Sequence, residues 1–282
     1  MTHDESISEK DYRRLRELIL SETGIQLGPQ KKTMLEGRIR RRMKELNLSS
    51  FEQYCNYLFG QAGMKEELVP LIDVVTTNKT DFFREPRHFE FLAQHALPES
   101  APGVGEAKPY QIWSAGCSTG EEPYTMAIVL SEFAQTHPAF RFRILATDIS
   151  TTVLRRAARA IYNEEAVSPV APALMRRYFL RSRDAQPQRY RVAPELRRTV
   201  EFRRLNFMDE EYRAAEISDA IFCRNVIIYF DRATQEKILR KLCRHLVPGG
   251  FLFVGHAETL HDMHLPLSPV APSLYRKHHT YE

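Results

Sequence analysis

The chain has 282 residues, of which 43% are hydrophobic and 27% charged, a composition typical of a soluble globular protein with a sizeable core. It excludes a disordered chain, a fibrous repeat and a disulfide scaffold. No apolar run reaches the roughly 18–20 residues that span a bilayer, and the charged N-terminus predicts no signal peptide. The four scattered cysteines favour a reduced, cytoplasmic protein. The formal net charge of +4 is too small to indicate a partner.

The first part of the chain, residues 1 to about 75, predicts a small helical bundle because its apolar residues recur at helical spacing. Gly24 ends the first helix, Pro29 suits the first turn of the second, and Ser49 or Ser50 serves as the N-cap of the third. The predicted helices lie near residues 12–19, 29–46, 51–59 and 68–75.

The pattern changes after a predicted loop at Pro98–Pro109. Short strand patterns alternate with helical ones, which predicts a largely parallel, doubly wound sheet. The predicted strands cover residues 110–114, 143–147, 220–223 and 251–255, and the helices cover residues 124–133, 153–160 and 234–246. Residues 177–206 contain three short exposed strand patterns (YFLRS, QRYRVAP and TVEFRRLNF), which we interpret as a small antiparallel insertion.

Small residues separate the first predicted strand from the helix that begins near Glu121. Such a loop lets a ligand approach backbone N–H groups closely. The second strand ends in Asp148, where an acid can accept hydrogen bonds from a ribose diol. Glu121 and Glu122 would repel a pyrophosphate but suit a cation. The pattern therefore indicates an adenosine-containing ligand and favours the sulfonium of S-adenosylmethionine over NAD or FAD, while an ordinary strand–turn–helix stays an alternative.

Two further segments concentrate polar side chains beside apolar ones. Arg224 and Asn225 follow an apolar strand, where they would lie next to the loop after the first strand. Residues 76–86 join the helical part to the sheet part. They combine short polar side chains with two phenylalanines and an arginine. Taken alone, this segment favours a capped linker whose phenylalanines belong to the core.

These segments together resemble one family, the chemotaxis receptor methyltransferases (the CheR family), which methylate receptor glutamates using S-adenosylmethionine. The matching motifs are TTNKTDFFRE, WSAGCSTGEEPY, ATDIS, FCRNVIIYFD and GGFLFVGHAE, in the family's order from about residue 76 to 258. The helical part also resembles the family's N-terminal domain. The resemblance implies a helical domain over residues 1–80 and a Rossmann-like methyltransferase domain over residues 81–282, with a β subdomain at about 177–203.

The resemblance also implies the roles of individual residues. Arg84 and Tyr229 would lie nearest the transferring methyl group. The implied contacts to S-adenosylmethionine, or to its product S-adenosylhomocysteine, come from Asn78, Thr80, Arg84, Glu122, Asp148, Asn206, Phe207, Arg224 and Asn225.

A basic helix at residues 29–46 carries seven Lys or Arg residues and one acid between Lys31 and Lys44. Helical spacing places most of them opposite the apolar stripe, so we expect them to be exposed. Such a run can be a merely solvated face, but it would complement the acidic methylated helices of a receptor's cytoplasmic domain. The family's R-x-x-R-R-x-R pattern is matched by Arg38, Arg41, Arg42 and Lys44.

Several other interpretations follow from the same residues. The β subdomain of some relatives binds a C-terminal receptor peptide, which the sequence neither requires nor excludes here. A nucleic-acid methyltransferase is disfavoured because Arg224–Ile227 replaces the Asn/Asp-Pro-Pro-Tyr/Phe segment such enzymes carry. A cofactor-binding signalling scaffold without activity is a second alternative.

No Cys or Asp supports a histidine metal site, and we expect a cytoplasmic monomer that binds neither metal nor nucleic acid and does not insert into a membrane.

Overall fold

The computed structural model describes residues 6–100, 108–183, 186–213 and 215–279. The predicted domains extend beyond these ranges at both ends, and residues 101–107 of the predicted loop also lie outside them. Residues 98–100 of that loop are helical. Within the described ranges, no helix is long and apolar enough to cross a membrane.

The N-terminal part is a helical bundle, as predicted, built from α1 (Glu9–Thr23), α2 (Lys32–Glu45), α3 (Phe51–Leu58) and α4 (Gln61–Val75). Ser8 caps α1, and Gly24 ends it in the left-handed conformation at φ 72°. Ser50 caps α3, and Pro29–Lys31 is a 3₁₀ turn before α2. Helix α4 begins seven residues earlier than predicted. Apolar spacing did not reveal its first half, because that half carries mostly polar residues, among them the buried Glu67.

The rest of the chain alternates strands and helices around a seven-stranded sheet. The helices are α5 (Pro86–Phe91), α6 (Leu97–Ser100), α7 (Glu121–Thr136), α8 (Thr151–Arg159), α9 (Glu164–Val167), α10 (Pro172–Tyr178), α11 (Pro194–Arg197) and α12 (Arg232–Arg244), with a π-helical segment at Leu92–Ala96 and a 3₁₀ turn at Ile227–Tyr229. The strands are β1 (Tyr110–Ala115), β2 (Phe142–Asp148), β3 (Ile161–Asn163), β4 (Phe179–Arg181), β5 (Arg189–Val192), β6 (Val200–Arg204), β7 (Ser218–Cys223), β8 (Leu246–Val254), β9 (Leu267–Ala271) and β10 (Leu274–Lys277).

The main sheet has the strand order β6-β2-β1-β7-β8-β10-β9. Strands β6, β2, β1, β7 and β8 are parallel, and β10 and β9 add an antiparallel edge that the sequence analysis did not predict. The chain leaves β1 for β2 on one side and reaches β7 on the other, so a crevice forms at their carboxyl ends. In open α/β sheets this is where ligands bind.

A second, three-stranded antiparallel sheet has the order β3-β5-β4. The prediction of a small antiparallel insertion is therefore confirmed, but one of its strands was assigned wrongly. Residues 200–204 form β6, which pairs in parallel with β2 at the edge of the main sheet. The third strand of the small sheet is instead β3, which pairs with β5. A short exposed strand pattern does not show which partner it pairs with.

Candidate active site

A pocket opens at the carboxyl ends of β1, β2 and β7, between the sheet and the helical bundle. All the predicted cofactor residues line it, and so does Tyr229. The helical bundle contributes six lining residues that were not predicted for the site, namely Thr23, Ile25, Leu27, Lys31, Met34 and Val75. The four predicted substrate-binding residues of α2 do not line this pocket.

The loop after β1 forms one wall of the pocket and contacts Asp148. Gly116 has φ 92°, and a Cβ there would lie 2.5 Å from a methyl group of Val226, so this position requires glycine. The backbone N–H of Ser118 donates to one Asp148 oxygen, and that of Ser150 donates to the other, both at 2.9 Å. Burial raises the pKa of Asp148, although these N–H groups oppose the shift.

A buried ion network lies at the end of β7. Arg224 donates to Glu85 at 3.1 Å and to Glu122 at 3.2 Å, and also to the carbonyl of Arg84. Ser114 donates to the other oxygen of Glu122 at 2.7 Å. Burial raises the pKa of Glu122 against the opposing effect of Arg224. Burial likewise acts to raise the pKa of Glu85, but Arg224 and hydrogen bonds from Asn225 and His256 hold it below its ordinary value.

The segment between α4 and α5 is fixed onto the sheet domain. Ser118 donates its hydroxyl to the carbonyl of Asn78 at 2.9 Å, and the N–H of Phe83 donates to the Thr125 hydroxyl at 3.1 Å. Arg84 donates to the carbonyl of Lys79 at 2.9 Å. Asn78, Thr80 and Arg84 therefore reach the pocket from a segment that the loop after β1 and helix α7 hold in place.

The segment after α1 forms the opposite wall of the pocket. Asn206 donates its side-chain amide to the carbonyl of Glu22 at 2.6 Å, and the N–H of Gln26 donates to the carbonyl of Tyr229 at 3.0 Å. The Lys31 ammonium lies 5.6 Å from the centre of the Tyr229 ring. Two residues predicted for the site thus also hold the helical domain against the sheet domain.

The basic helix α2 is less exposed than its spacing suggests. Arg41 and Lys44 are exposed as predicted, but Arg38 and Arg42 are half-buried. Arg42 pairs with the fully buried Glu67 at 2.8 Å, and Arg38 donates to the carbonyls of Val75 and Thr76. The expectation that all the arginines of this face are exposed is therefore wrong, because α4 packs beside α2 and places acceptors next to two of them.

Glu85, His88 and His256 are the one group in the described ranges that brings three potential metal-ligating atoms within 4.8 Å of one another. Arg224 already pairs with Glu85, and its charge would oppose a divalent cation at the same carboxylate. Burial, and to a lesser degree the positive charge of Arg224, lowers the pKa of His88 to about 4. This histidine is therefore neutral near pH 7. We assign no metal to this group.

The pocket residues fit S-adenosylmethionine. Asp148 accepts the backbone N–H groups of Ser118, Ser150 and Ile149. A carboxylate has about four acceptor sites, so Asp148 can also accept from a ribose hydroxyl. Ile149 and Phe207 also line the pocket and provide the apolar surface that an adenine ring requires. Glu122 offers a carboxylate to cationic groups, and Arg84 offers a guanidinium to an anionic one.

Comparison with known proteins identifies the family of this chain. Residues 78–272 match the family model described as "CheR methyltransferase, SAM binding domain", and residues 10–76 match "CheR methyltransferase, all-alpha domain". The chain is 41% identical over 258 residues to the chemotaxis protein methyltransferase of Escherichia coli (strain K12), covering 92% of this chain and 87% of that protein. It is 36% identical over 275 residues to the chemotaxis protein methyltransferase of Borreliella burgdorferi, covering 96% and 95%. The chain belongs to the CheR methyltransferase family.

Proposed function

We propose that this protein methylates glutamate side-chain carboxylates of chemoreceptors, with S-adenosylmethionine as the donor and S-adenosylhomocysteine as the product. The main support for this proposal is that one pocket is lined by every predicted cofactor residue and by both predicted catalytic residues, Arg84 and Tyr229. The names of the relatives, which are chemotaxis protein methyltransferases, support the same class of reaction.

The cofactor contacts divide by the part of the ligand each would hold. Asp148 would accept hydrogen bonds from the ribose, and Asn206 and Phe207 would flank the adenine. Glu122, Arg224 and Asn225 would form the wall behind the amino-acid part, with Asn78 and Thr80 contributing from the segment between the domains. We place the join between the two domains after residue 80. The segment around this join, residues 76–86, would therefore be part of the active site.

The reaction needs no general base. A glutamate side chain has an ordinary pKa near 4.3 and is ionised at pH 7, so it can attack a methyl carbon directly. When bound, S-adenosylmethionine supplies that carbon as an electrophile on a positively charged sulfur. Arg84 would hold the incoming carboxylate in line, because its planar guanidinium can bind two oxygens at once. Tyr229 would lie beside the reacting carbon, near the line that joins the carboxylate oxygen to the sulfur.

The walls of the pocket favour this reaction because they exclude water. The carboxylate and the sulfonium become a neutral ester and a neutral thioether, so charge disappears in the transition state. Solvent would stabilise the charged reactants more than the transition state. The helical domain covers the crevice through residues such as Ile25, Leu27 and Met34, and held reactants can gain roughly 7–11 kcal/mol over a bimolecular encounter.

The substrate would approach along α2, where Arg41 and Lys44 are exposed. We propose that these side chains attract the acidic surface of a receptor's cytoplasmic helices, which raises the encounter rate and sets the orientation. Arg38 and Arg42 would act mainly within the protein, given their contacts to Val75 and Glu67. For a receptor that carries a C-terminal recognition peptide, we propose the small sheet of β3, β5 and β4 as its binding surface.

Incubation with labelled S-adenosylmethionine and chemoreceptor-bearing membranes tests the proposal. We expect label on receptor protein that is released by mild base, as a glutamate methyl ester requires. The Arg84→Lys variant, which keeps the charge but loses the planar fork, should transfer the label more slowly at saturating cofactor. Cofactor binding without transfer to any receptor would contradict the proposal and favour a signalling scaffold.

A further inference from the structure

The loop after β8 contains a buried carboxylate that lies outside the pocket lining. Glu258 is only 6% exposed, and its two oxygens accept four backbone N–H groups. One oxygen accepts from Asn225 at 2.9 Å and Gly255 at 2.5 Å, and the other accepts from Val226 at 2.9 Å and Ile228 at 3.4 Å. Three of these donors belong to the segment that follows β7.

The backbone of that segment is shaped to surround an anion. Asn225 has a left-handed conformation at φ 57°, which turns neighbouring N–H groups toward one point, as in an anion-binding nest. Asparagine adopts this conformation more readily than most residues other than glycine, so the residue at position 225 itself favours this turn. On the other side, a Cβ at Gly255 would lie 2.8 Å from the Asn225 nitrogen and 2.9 Å from a Glu258 oxygen. The close approach of the two loops therefore depends on glycine.

The segment held in this way presents three residues of the proposed active site. Arg224, Asn225 and Tyr229 all line the pocket, and the turn that carries Tyr229 begins at Ile227, between two of the donors to Glu258. Asn225 also donates its side chain to Glu85 at 3.2 Å. The backbone N–H groups of Asn225, Val226 and Ile228 donate to Glu258. The side chains of the same segment line the pocket.

We propose that Glu258 is a positioning residue: it sets the backbone of residues 224–229 and thereby the placement of Arg224, Asn225 and Tyr229 for cofactor binding and methyl transfer. This inference rests on the proposed function for the identity of the ligand. It requires only that the pocket bind S-adenosylhomocysteine, so it can be tested even if the methylated substrate is a different one.

The Glu258→Gln variant tests the proposal. Both oxygens of Glu258 accept backbone N–H groups, so the amide nitrogen of glutamine would face a donor in either orientation. We expect the Kd for S-adenosylhomocysteine, measured by titration calorimetry, to rise roughly tenfold or more. In steady-state assays kcat should fall and the KM for receptor should stay the same, because the segment does not carry the basic face of α2.

Glu36→Gln is the matched control. Glu36 is also a buried carboxylate, and it accepts the backbone N–H of Ile7 at 3.0 Å and the Ser6 hydroxyl at 2.6 Å. It lies outside the pocket lining, so its variant should bind S-adenosylhomocysteine as the unchanged protein does. A folded Glu258→Gln protein with unchanged affinity would overturn the proposal.

A second variant, Gly255→Ala, decides the matter if Glu258→Gln does not fold. It keeps the carboxylate but pushes a methyl group against the Asn225 nitrogen, so it should weaken S-adenosylhomocysteine binding in the same direction. Normal affinity in a folded Gly255→Ala protein would contradict the proposal. Unfolding of both variants would also contradict it, because Glu258 would then be stabilising the fold as a whole and not the site.

Discussion

Two regions of this molecule concentrate arginine, and they use it in different ways. At the end of β7, Arg224 is buried and donates hydrogen bonds to Glu85, Glu122 and the carbonyl of Arg84. On α2, Arg41 and Lys44 extend into solvent. The first arrangement fixes the geometry of a pocket, while the second leaves charge available at the surface for a partner.

The same difference between buried and exposed charges exists within α2. Arg42, next to the exposed Arg41 in the sequence, donates to the buried Glu67, to which Tyr54 also donates its hydroxyl. Its role is therefore closer to that of Arg224 than to that of its neighbour. The two regions show that the function of a charge depends on whether the fold supplies it with a buried partner.

Removing Arg224 should have the largest effect. Arg224→Met would leave two buried carboxylates without their cation, and we expect a loss of about 3–5 kcal/mol in the free energy of unfolding, measured in urea, with loss of S-adenosylhomocysteine binding. The matched control is Arg177→Met, because Arg177 pairs with Glu132 at a half-exposed site where the loss should stay below about 1 kcal/mol. Equal losses in the two variants would remove the distinction between the regions.

Within α2, Arg42→Met and Arg41→Met should separate stability from substrate binding. Arg42→Met leaves Glu67 buried and uncompensated, so we expect a loss of about 2 kcal/mol in the free energy of unfolding, less than for Arg224 because Arg42 is partly exposed. Arg41→Met should leave the free energy of unfolding unchanged. Destabilisation by Arg41→Met that matched Arg42→Met would show that the exposed face also holds the fold together.

His88 should make stability fall with acidification. Its pKa is lowered from 6.5 to about 4 in the folded protein, so the unfolded chain binds more protons between these values. Stability is therefore full above pH 6.5 and declines as the pH falls toward 4. Between pH 7 and pH 5 we expect a loss of about 2 kcal/mol from this group, measured by urea unfolding. His88→Gln should flatten the decline and His264→Gln should not; an unchanged profile in His88→Gln would contradict the assignment.

Changes to the exposed pair Arg41 and Lys44 should have the smallest effect, and that effect should be confined to receptor binding. Replacing both Arg41 and Lys44 with Gln should raise the KM for receptor by roughly three- to tenfold at low salt, with the Kd for S-adenosylhomocysteine unchanged. The difference from the unchanged protein should shrink as salt screens the attraction. A salt-independent KM, or an altered cofactor affinity, would argue against a docking role.

The sequence was sufficient to predict the strand ends but not the contacts between distant segments. Asp148 and Arg224 could be predicted because the carboxyl ends of parallel strands meet at one edge. Glu85 and Glu258 stood within recognised motifs but received no role, since their partners lie 139 and 33 residues away along the chain. Helix spacing correctly located the apolar stripe of α2, but it could not show that α4 would place Glu67 beside Arg42.

The same limit explains the error in the sheet. Residues 200–204 were predicted to be a strand and are one, but local alternation carries no information on the pairing partner, which proved to be β2. The contribution of Ile25, Leu27 and Met34 to the pocket was also missed. Apolar residues within and between helices predict burial, but only the docking of the two domains decides which surface covers them.

Mass spectrometry of a receptor's cytoplasmic fragment, after incubation with this protein and S-adenosylmethionine, shows directly whether this protein methylates receptor glutamates. We expect the mass increase of one methyl group on specific glutamate side chains, removed by mild base and absent when S-adenosylhomocysteine is added in excess. Methylation found on another residue type, or no methylation of any receptor by protein that binds the cofactor, would contradict it.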